Sequence, residues 1–153
     1  MINKFYGGIM IKSFEELTLK ELYEILKVRA EIFVVEQNIV YQDCDDIDYR
    51  SFHVFYKDEN ERITAYLRLF YKLDEPGTVR VGRVLTRKHG EGLGGKILKE
   101  GIEFAFEKMK ATRLFMDAQE HAIGFYEKYG FRVISDRFIE EDIYHVEMEV
   151  IRE

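Results

Sequence analysis

The sequence predicts a mixed α/β fold, a sheet of the α+β kind with helices packed on it, and three observations predict it. β-rich runs follow one another between residues 52 and 85, parted by short polar turns. Apolar residues recur at helical spacing after residue 18. A dense glycine cluster opens a second helical stretch, and a buried-type strand run follows it. The chain has 153 residues, 46% of them hydrophobic, enough for one domain with a substantial core. No linker, repeat or low-complexity segment divides it, so residues 1–153 read as a single domain.

Residues 9–14 read as a short strand. Met10 is a second candidate start, which would make residues 1–9 an extension ahead of the fold. Thr18-x-x-Glu21 is a capping box. Behind it Leu19, Leu22, Leu26 and Ala30, with Tyr23 and Phe33 beside them, predict a helix over 19–33. Residues 34–50 read as an acidic loop or a second short helix. Strands over 52–57 and 62–73 flank a turn at 58–61 and form a hairpin. The turn at 74–77 holds the only proline, and 79–85 is the next strand. The glycine run then opens a helix of about 15 residues, a usual length. A strand follows over 112–117. A helix over 121–129 stops at Gly130, the residue type that ends helices. Two strands, 131–138 and 143–151, surround a turn at 140–142.

Composition bounds the partners. The formal net charge is −6, which argues against a nucleic-acid binder with its basic face. No apolar run is long enough to span a bilayer, and the N-terminus carries no signal-peptide core. Cys44 is the only cysteine, so no internal disulfide forms, in keeping with a reducing cytoplasm. Its neighbours Asp43, Asp45 and Asp46 disfavour the thiolate and make it a poor nucleophile. No spacing of His, Cys and carboxylates resembles a metal site.

The richest stretch runs from His89 to Leu98. Four of the eleven glycines, Gly90, Gly92, Gly94 and Gly95, fall within six residues. Such density is costly in regular structure and useful where backbone must touch a ligand. Unpaired N–H groups at a helix start, with the positive end of its dipole, suit a pyrophosphate. The plain alternative is an ordinary flexible turn.

Strand, glycine loop, helix, strand, then Ala122-x-x-Phe125-Tyr126-x-x-x-Gly130-Phe131 resembles the GCN5-related N-acetyltransferase (GNAT) superfamily. The family's loop pattern can be laid in two registers, from Arg87 or from His89, and the second continues the helix without a gap. Phe33-Val34-Val35-Glu36-Gln37, Tyr41-Gln42-Asp43, Asp48, His53, Gly82-Arg83-Val84, Ala118-Gln119 and residues 140–148 are similar to the ElaA-like branch. The resemblance implies the GNAT acyl-CoA N-acyltransferase fold, a central, mostly antiparallel, twisted sheet flanked by helices. It implies acetyl-CoA as co-substrate, no metal, and transfer of the acetyl group to a primary amine by direct attack in a ternary complex. His89, Gly90, Glu91, Gly92, Leu93, Gly94 and Gly95 would seat the pyrophosphate. Val84 and Leu85 would pair with the pantetheine arm like an added strand, and Gln119 would hydrogen-bond that arm. Tyr126 would serve as general acid to the leaving thiolate, since its proton is held at neutral pH. Glu36, with Gln37, Tyr41, Asp43 and His53, would face the acceptor, and Glu36 would take its proton. Asp45, Asp46, Asp48 and Glu120 are further candidates for steering a cationic amine. Small-molecule amine, peptide N-terminus and lysine side chain all stay open as acceptors, and a homodimer is common among such proteins. The rival class is a non-catalytic acyl-CoA-binding or regulatory module on the same fold.

Overall fold

The structure, a computed structural model, describes residues 8–87 and 90–152. Its elements run β1 Ile9–Ser13, α1 Leu19–Arg29, β2 Phe52–Lys57, β3 Ile63–Tyr71, β4 Thr78–Thr86, α2 Leu93–Glu107, β5 Arg113–Gln119, α3 Ile123–Glu127, β6 Arg132–Val133, β7 Phe138–Glu140 and β8 Ile143–Ile151. The strands form one sheet in the order β1-β2-β3-β4-β5-β8-β6, with β7 also paired to β8. Every pairing is antiparallel except β4 with β5. This is the mixed sheet that the sequence predicts, mostly antiparallel as the family resemblance implies. Ile9 and Met10 are both buried, and Ile9 pairs with Tyr56, so the first strand starts one residue ahead of Met10.

Each face of the sheet has its own core. On one, Ile97, Leu98, Ile102 and Ala105 of α2 pack on Leu67, Leu69, Val79 and Leu114. Fully burying a side chain such as Ile97 or Leu98 contributes roughly 1.5–3 kcal/mol. On the other, Ile25 and Val28 of α1 meet Phe55, Tyr66 and Leu85.

Three expectations need correcting. The apolar stripe of the first helix is not its buried face: Leu19 is 87% exposed and Tyr23 68%, whereas Ile25, Val28 and Arg29 are fully buried. The inward face is Glu21-Ile25-Val28-Arg29, and its charges tolerate burial because partners meet them. Glu21 receives Lys12 and Lys57, each at 2.9 Å, and Arg29 receives Asp43 and Asp48. The capping box itself forms, Thr18 accepting from the Glu21 amide and Glu21 from the Thr18 amide, each at 3.0 Å. Beyond Arg29 the chain continues as a π-helix over Ala30–Glu36.

Second, the strand over 131–138 breaks into β6 and β7. Four residues there face only two on β8, between Met148 and His145. The Ser135 hydroxyl takes over part of the ladder, accepting from the Glu147 amide at 2.8 Å. Third, the helix over 121–129 is a 3-10 turn at Glu120–Ala122 followed by the short α3. Gly130 closes it at φ 96°.

Candidate active site

β4 and β5 pair only at Thr78–Arg113, Val79–Leu114 and Arg80–Phe115. Beyond Arg80 they part, yet β4 stays bonded to β3 as far as Thr86 and β5 to β8 as far as Gln119. A sheet split along its parallel pair opens a wedge. The cleft there has a volume of about 1600 Å³ and is lined on one side by Val81 to Thr86, on the other by Met116, Asp117 and Gln119.

The β4 wall is irregular at a definite place. Tyr66 faces Leu85 and Arg68 faces Gly82, so Arg83 and Val84 together oppose Leu67 alone. Arg83 sits at φ 52°. Such a bulge leaves ladder groups unpaired and re-aims its neighbours. Val84 packs toward the α2 core and Leu85 toward the α1 core, and both line the cleft.

One end of the cleft is the start of α2. Gly92 is the N-cap residue at φ 72°, and its carbonyl accepts the Lys96 amide at 3.2 Å. The amides of Leu93, Gly94 and Gly95 therefore have no partner within the helix. Gly90 stands at φ 86°, and a β-carbon on Gly90 or Gly92 would meet nothing within 4 Å. Space and free donors coincide here. Gly90, Gly92, Leu93, Gly94 and Gly95 line the cleft, while Glu91 is exposed and does not. His89 lies outside the described residues. Arg87, the other candidate start of the loop pattern, is ion-paired with Glu31 at 2.5 Å.

Gln119 and Tyr126 close the far wall. The Gln119 side-chain amide reaches Gln37 at 3.5 Å, joining the tip of β5 to the tail of the first helix. Tyr126 is 7% exposed, lines the cleft, and packs edge-on against Phe125 and Phe131. Burial raises its phenol above the ordinary value, so it keeps its proton at neutral pH.

The acceptor-side candidates divide. Glu36, Gln37 and Tyr41 line the cleft; Asp43 and His53 do not. His53 is fully buried. Its Nε2–H donates to the Asp48 carbonyl at 3.0 Å, which leaves Nδ1 to accept from the Tyr66 hydroxyl at 2.6 Å. Burial lowers its pKa and keeps the ring neutral. It is a core histidine that does not line the cleft.

The acidic run is no open anionic pocket either. Asp43 takes the Arg29 Nε at 3.0 Å and the Arg83 Nε at 2.9 Å, and Tyr41 donates to it at 3.0 Å. Asp48 takes Arg29 Nη1 at 2.7 Å and Arg68 Nη1 at 2.9 Å. Asp45 takes Arg68 Nη2 at 2.6 Å. Three aspartates thus balance three arginines. Burial alone would raise the Asp45 carboxyl, but the Arg68 hydrogen bonds, the charges of Arg68 and Arg83 and the Ile47 amide together outweigh it and hold it at about 2. Of the remaining candidates, Asp46 and Glu120 are exposed and line no part of the cleft. Cys44 is exposed, and partial burial together with the nearby aspartates raises its thiol pKa.

Sequence reading missed several charged and aromatic residues of the cleft, among them Arg50, Arg68, Phe70, Arg80 and Asp117. The signal was the alternation along 66–70, which puts Tyr66, Arg68 and Phe70 on one face, an arginine in an otherwise apolar run. Among the described residues no group of three or more His, Cys, Asp or Glu could hold a metal ion, and no helix is long and apolar enough to cross a membrane.

A family model described as an acetyltransferase (GNAT) domain matches residues 29–152. A UPF0039 protein of Schizosaccharomyces pombe is 35% identical over 140 residues, 90% of this chain and 92% of its own. Protein ElaA of Escherichia coli is 32% identical over 137 residues, 87% of this chain and 89% of its own. The crystal structure of E. coli ElaA superposes with a TM-score of 0.86, covering 93% of this chain and 97% of that one, at 28% identity. An acyl-CoA N-acyltransferase from Pseudomonas aeruginosa does so at 0.86 and 33% identity, covering 93% and 98%.

Proposed function

The chain belongs to the GNAT acetyltransferase family, and from that premise we propose that it moves the acetyl group of acetyl-CoA to a primary amine by direct attack in a ternary complex. The observation that carries this reading is the wedge between β4 and β5, bulged at Arg83 and Val84 and ending at the open glycine cradle.

Acetyl-CoA supplies an activated thioester: the amine nitrogen bonds the carbonyl carbon as the carbon–sulfur bond breaks, and the sulfur takes up a proton. The chain's own groups divide the remaining work. Amides of residues 93–95, with the positive end of the α2 dipole, receive a pyrophosphate, and Gly90 and Gly92 let it approach. The free edge of β4 beyond Arg80 offers ladder groups to an extended amide-bearing arm, and an amide at the bulge is available to a carbonyl oxygen gathering charge. Tyr126, proton held by burial, gives it to the departing sulfur. Glu36, exposed on the cleft and making no ion pair among the described residues, takes the ammonium proton, directly or through water.

The test is calorimetry with acetyl-CoA, followed by thiol release across an amine panel. Binding together with release supports transfer. Binding without release across the panel supports a non-catalytic acyl-CoA-binding module. Absence of binding overturns both.

A further inference from the structure

We propose that His145 is a second base of the reaction, its Nε2 taking the proton that the acceptor nitrogen sheds once it has bonded the acetyl carbon. The inference rests on the acetyl-transfer reading and adds a catalytic residue to the same cleft.

The proton balance calls for such a group. A primary amine arrives as an ammonium ion and leaves as an amide, so its nitrogen gives up two protons. Glu36 takes one before attack, to free the lone pair. The other becomes acidic only as the carbon–nitrogen bond forms. The sulfur needs one proton as the carbon–sulfur bond breaks, and Tyr126 gives it. A base that takes the second proton and returns it through water to the Tyr126 oxygen closes the cycle. One proton then leaves to solvent by way of Glu36.

His145 has the geometry for this. Its Nδ1 lies 2.8 Å from the Ile143 carbonyl oxygen. A carbonyl only accepts, so Nδ1 carries the hydrogen and the neutral ring keeps a lone pair on Nε2. The residue is 8% exposed and lines the cleft, and no described residue meets its Nε2. Among the described residues the only side-chain polar atom both sealed from solvent and unpartnered is Arg68 Nε, so His145 Nε2 keeps its access. Phe138, its partner on β7, stacks on the ring at 5.9 Å and 21° and holds its plane. An imidazole is the side chain that takes up and releases a proton near neutrality.

Its place in the sheet is equally specific. His145 pairs with Gln119 across β5 and β8, so the two side chains share a face. Gln119 in turn reaches Gln37, next to Glu36 in the chain. Carrying the parallel register four residues on from Arg80 and Phe115 brings the β4 bulge level with Gln119. Val146 and Met148 belong to the α2 core, as Tyr126 does, so His145, alternating with them, looks to the opposite face. Protons are thus taken on one face of the sheet and given on the other. Glu140 and Glu141 line the same cleft and, like Glu36, make no ion pair among the described residues, so an imidazolium formed there meets negative charge.

The test is single-turnover kinetics with acetyl-CoA and whichever of benzylamine, spermidine, 4-aminobutyrate and a one-lysine peptide releases thiol fastest. His145→Asn keeps an amide donor near the Nδ1 position and lacks the outer lone pair; His145→Gln places an amide near Nε2 and no base. In both, the chemical step should slow by roughly 10²–10⁴ with acetyl-CoA affinity unchanged by calorimetry. Raising the pH should restore Glu36→Gln and leave His145→Asn impaired, because the second proton is released only after the bond forms. In ¹⁵N–¹H spectra of the unsubstituted protein His145 should be the Nδ1–H tautomer, and its Nε2 resonance should move when the amine is added to the CoA-saturated protein. A parent-like rate in either folded variant, parallel recovery of Glu36→Gln and His145→Asn with pH, an Nε2–H tautomer or an unmoved resonance overturns the proposal and leaves acetyl transfer standing. Thiol release from none of the amines by the unsubstituted protein removes the transfer reading and this inference with it.

Discussion

The hydroxyl of Tyr129 occupies the place where a β-carbon on Gly95 would stand. The glycine run therefore has two jobs. Gly90 and Gly92 hold positive φ over open space, while Gly95 lets the first turn of α2 close onto the aromatic cluster of Phe125 and Tyr129. Gly95→Ala should lower stability by about 1–3 kcal/mol through overpacking. Tyr129→Phe removes the offending oxygen and should recover part of that loss. Urea melts of the two single variants and the double variant check the coupling, and strict additivity would remove it.

Gly92→Val acts on the ligand instead. With no neighbour to strike, valine there should cost about 1–2 kcal/mol in backbone strain at φ 72°. Its branched side chain also enters the cradle, so acetyl-CoA affinity should fall more than tenfold, about 1.4 kcal/mol. Calorimetry on the folded variant decides, and unchanged affinity would move the pyrophosphate seat elsewhere.

Tyr126→Phe keeps the ring that packs on Phe125 and Phe131 and removes only the hydroxyl, and with it the proton. Acetyl-CoA affinity should hold while kcat drops by roughly 10²–10⁴. Single-turnover kinetics isolate the chemical step, and a wild-type rate there would take Tyr126 out of it.

Glu36→Gln keeps shape and removes charge at a cleft residue that anchors no ion pair among the described residues. Amine kcat/KM should fall with acetyl-CoA affinity unchanged, and should recover as pH rises and more amine is neutral. A pH–rate profile matching the parent's would place the acceptor base at another residue.

Glu21 sets an acid limit on stability. Burial alone would raise its carboxyl, but the Thr18 amide and the two lysines outweigh that and hold it at about 2, against an ordinary 4.5. A depressed carboxyl contributes fully above 4.5 and loses that contribution as pH falls toward 2. Glu21→Gln leaves Lys12, itself 7% exposed, without its charge partner, at a cost of about 3–5 kcal/mol near neutrality. The gap between variant and parent should narrow between pH 4.5 and 2. Thermal melts across that range measure it, and a constant gap would refute the assignment.

Local patterns in the sequence determined the elements themselves. The capping box at Thr18 and Glu21, the strand over 52–57, the 15-residue helix behind Gly92 and the succession of strands and helices along the chain each depend on residues close in the chain, whose spacing fixes backbone geometry. The glycine run and the Tyr126 segment also marked both sides of the cleft, because backbone approach and a buried phenol need those residue types. Tertiary structure alone decided what the charges do. Asp43 looks like a solvated acid until Arg29, 14 residues away, and Arg83, 40 residues away, are folded onto it. His53 looks like a site residue until Asp48 and Tyr66 take both its nitrogens. The inward face of α1 carries Glu21 and Arg29, which no hydrophobic pattern selects, because a charge is buried only when a distant partner arrives. The bulge at Arg83 and the break at Ser135 are likewise properties of paired strands, and a strand's register against its neighbour is not written in either strand alone.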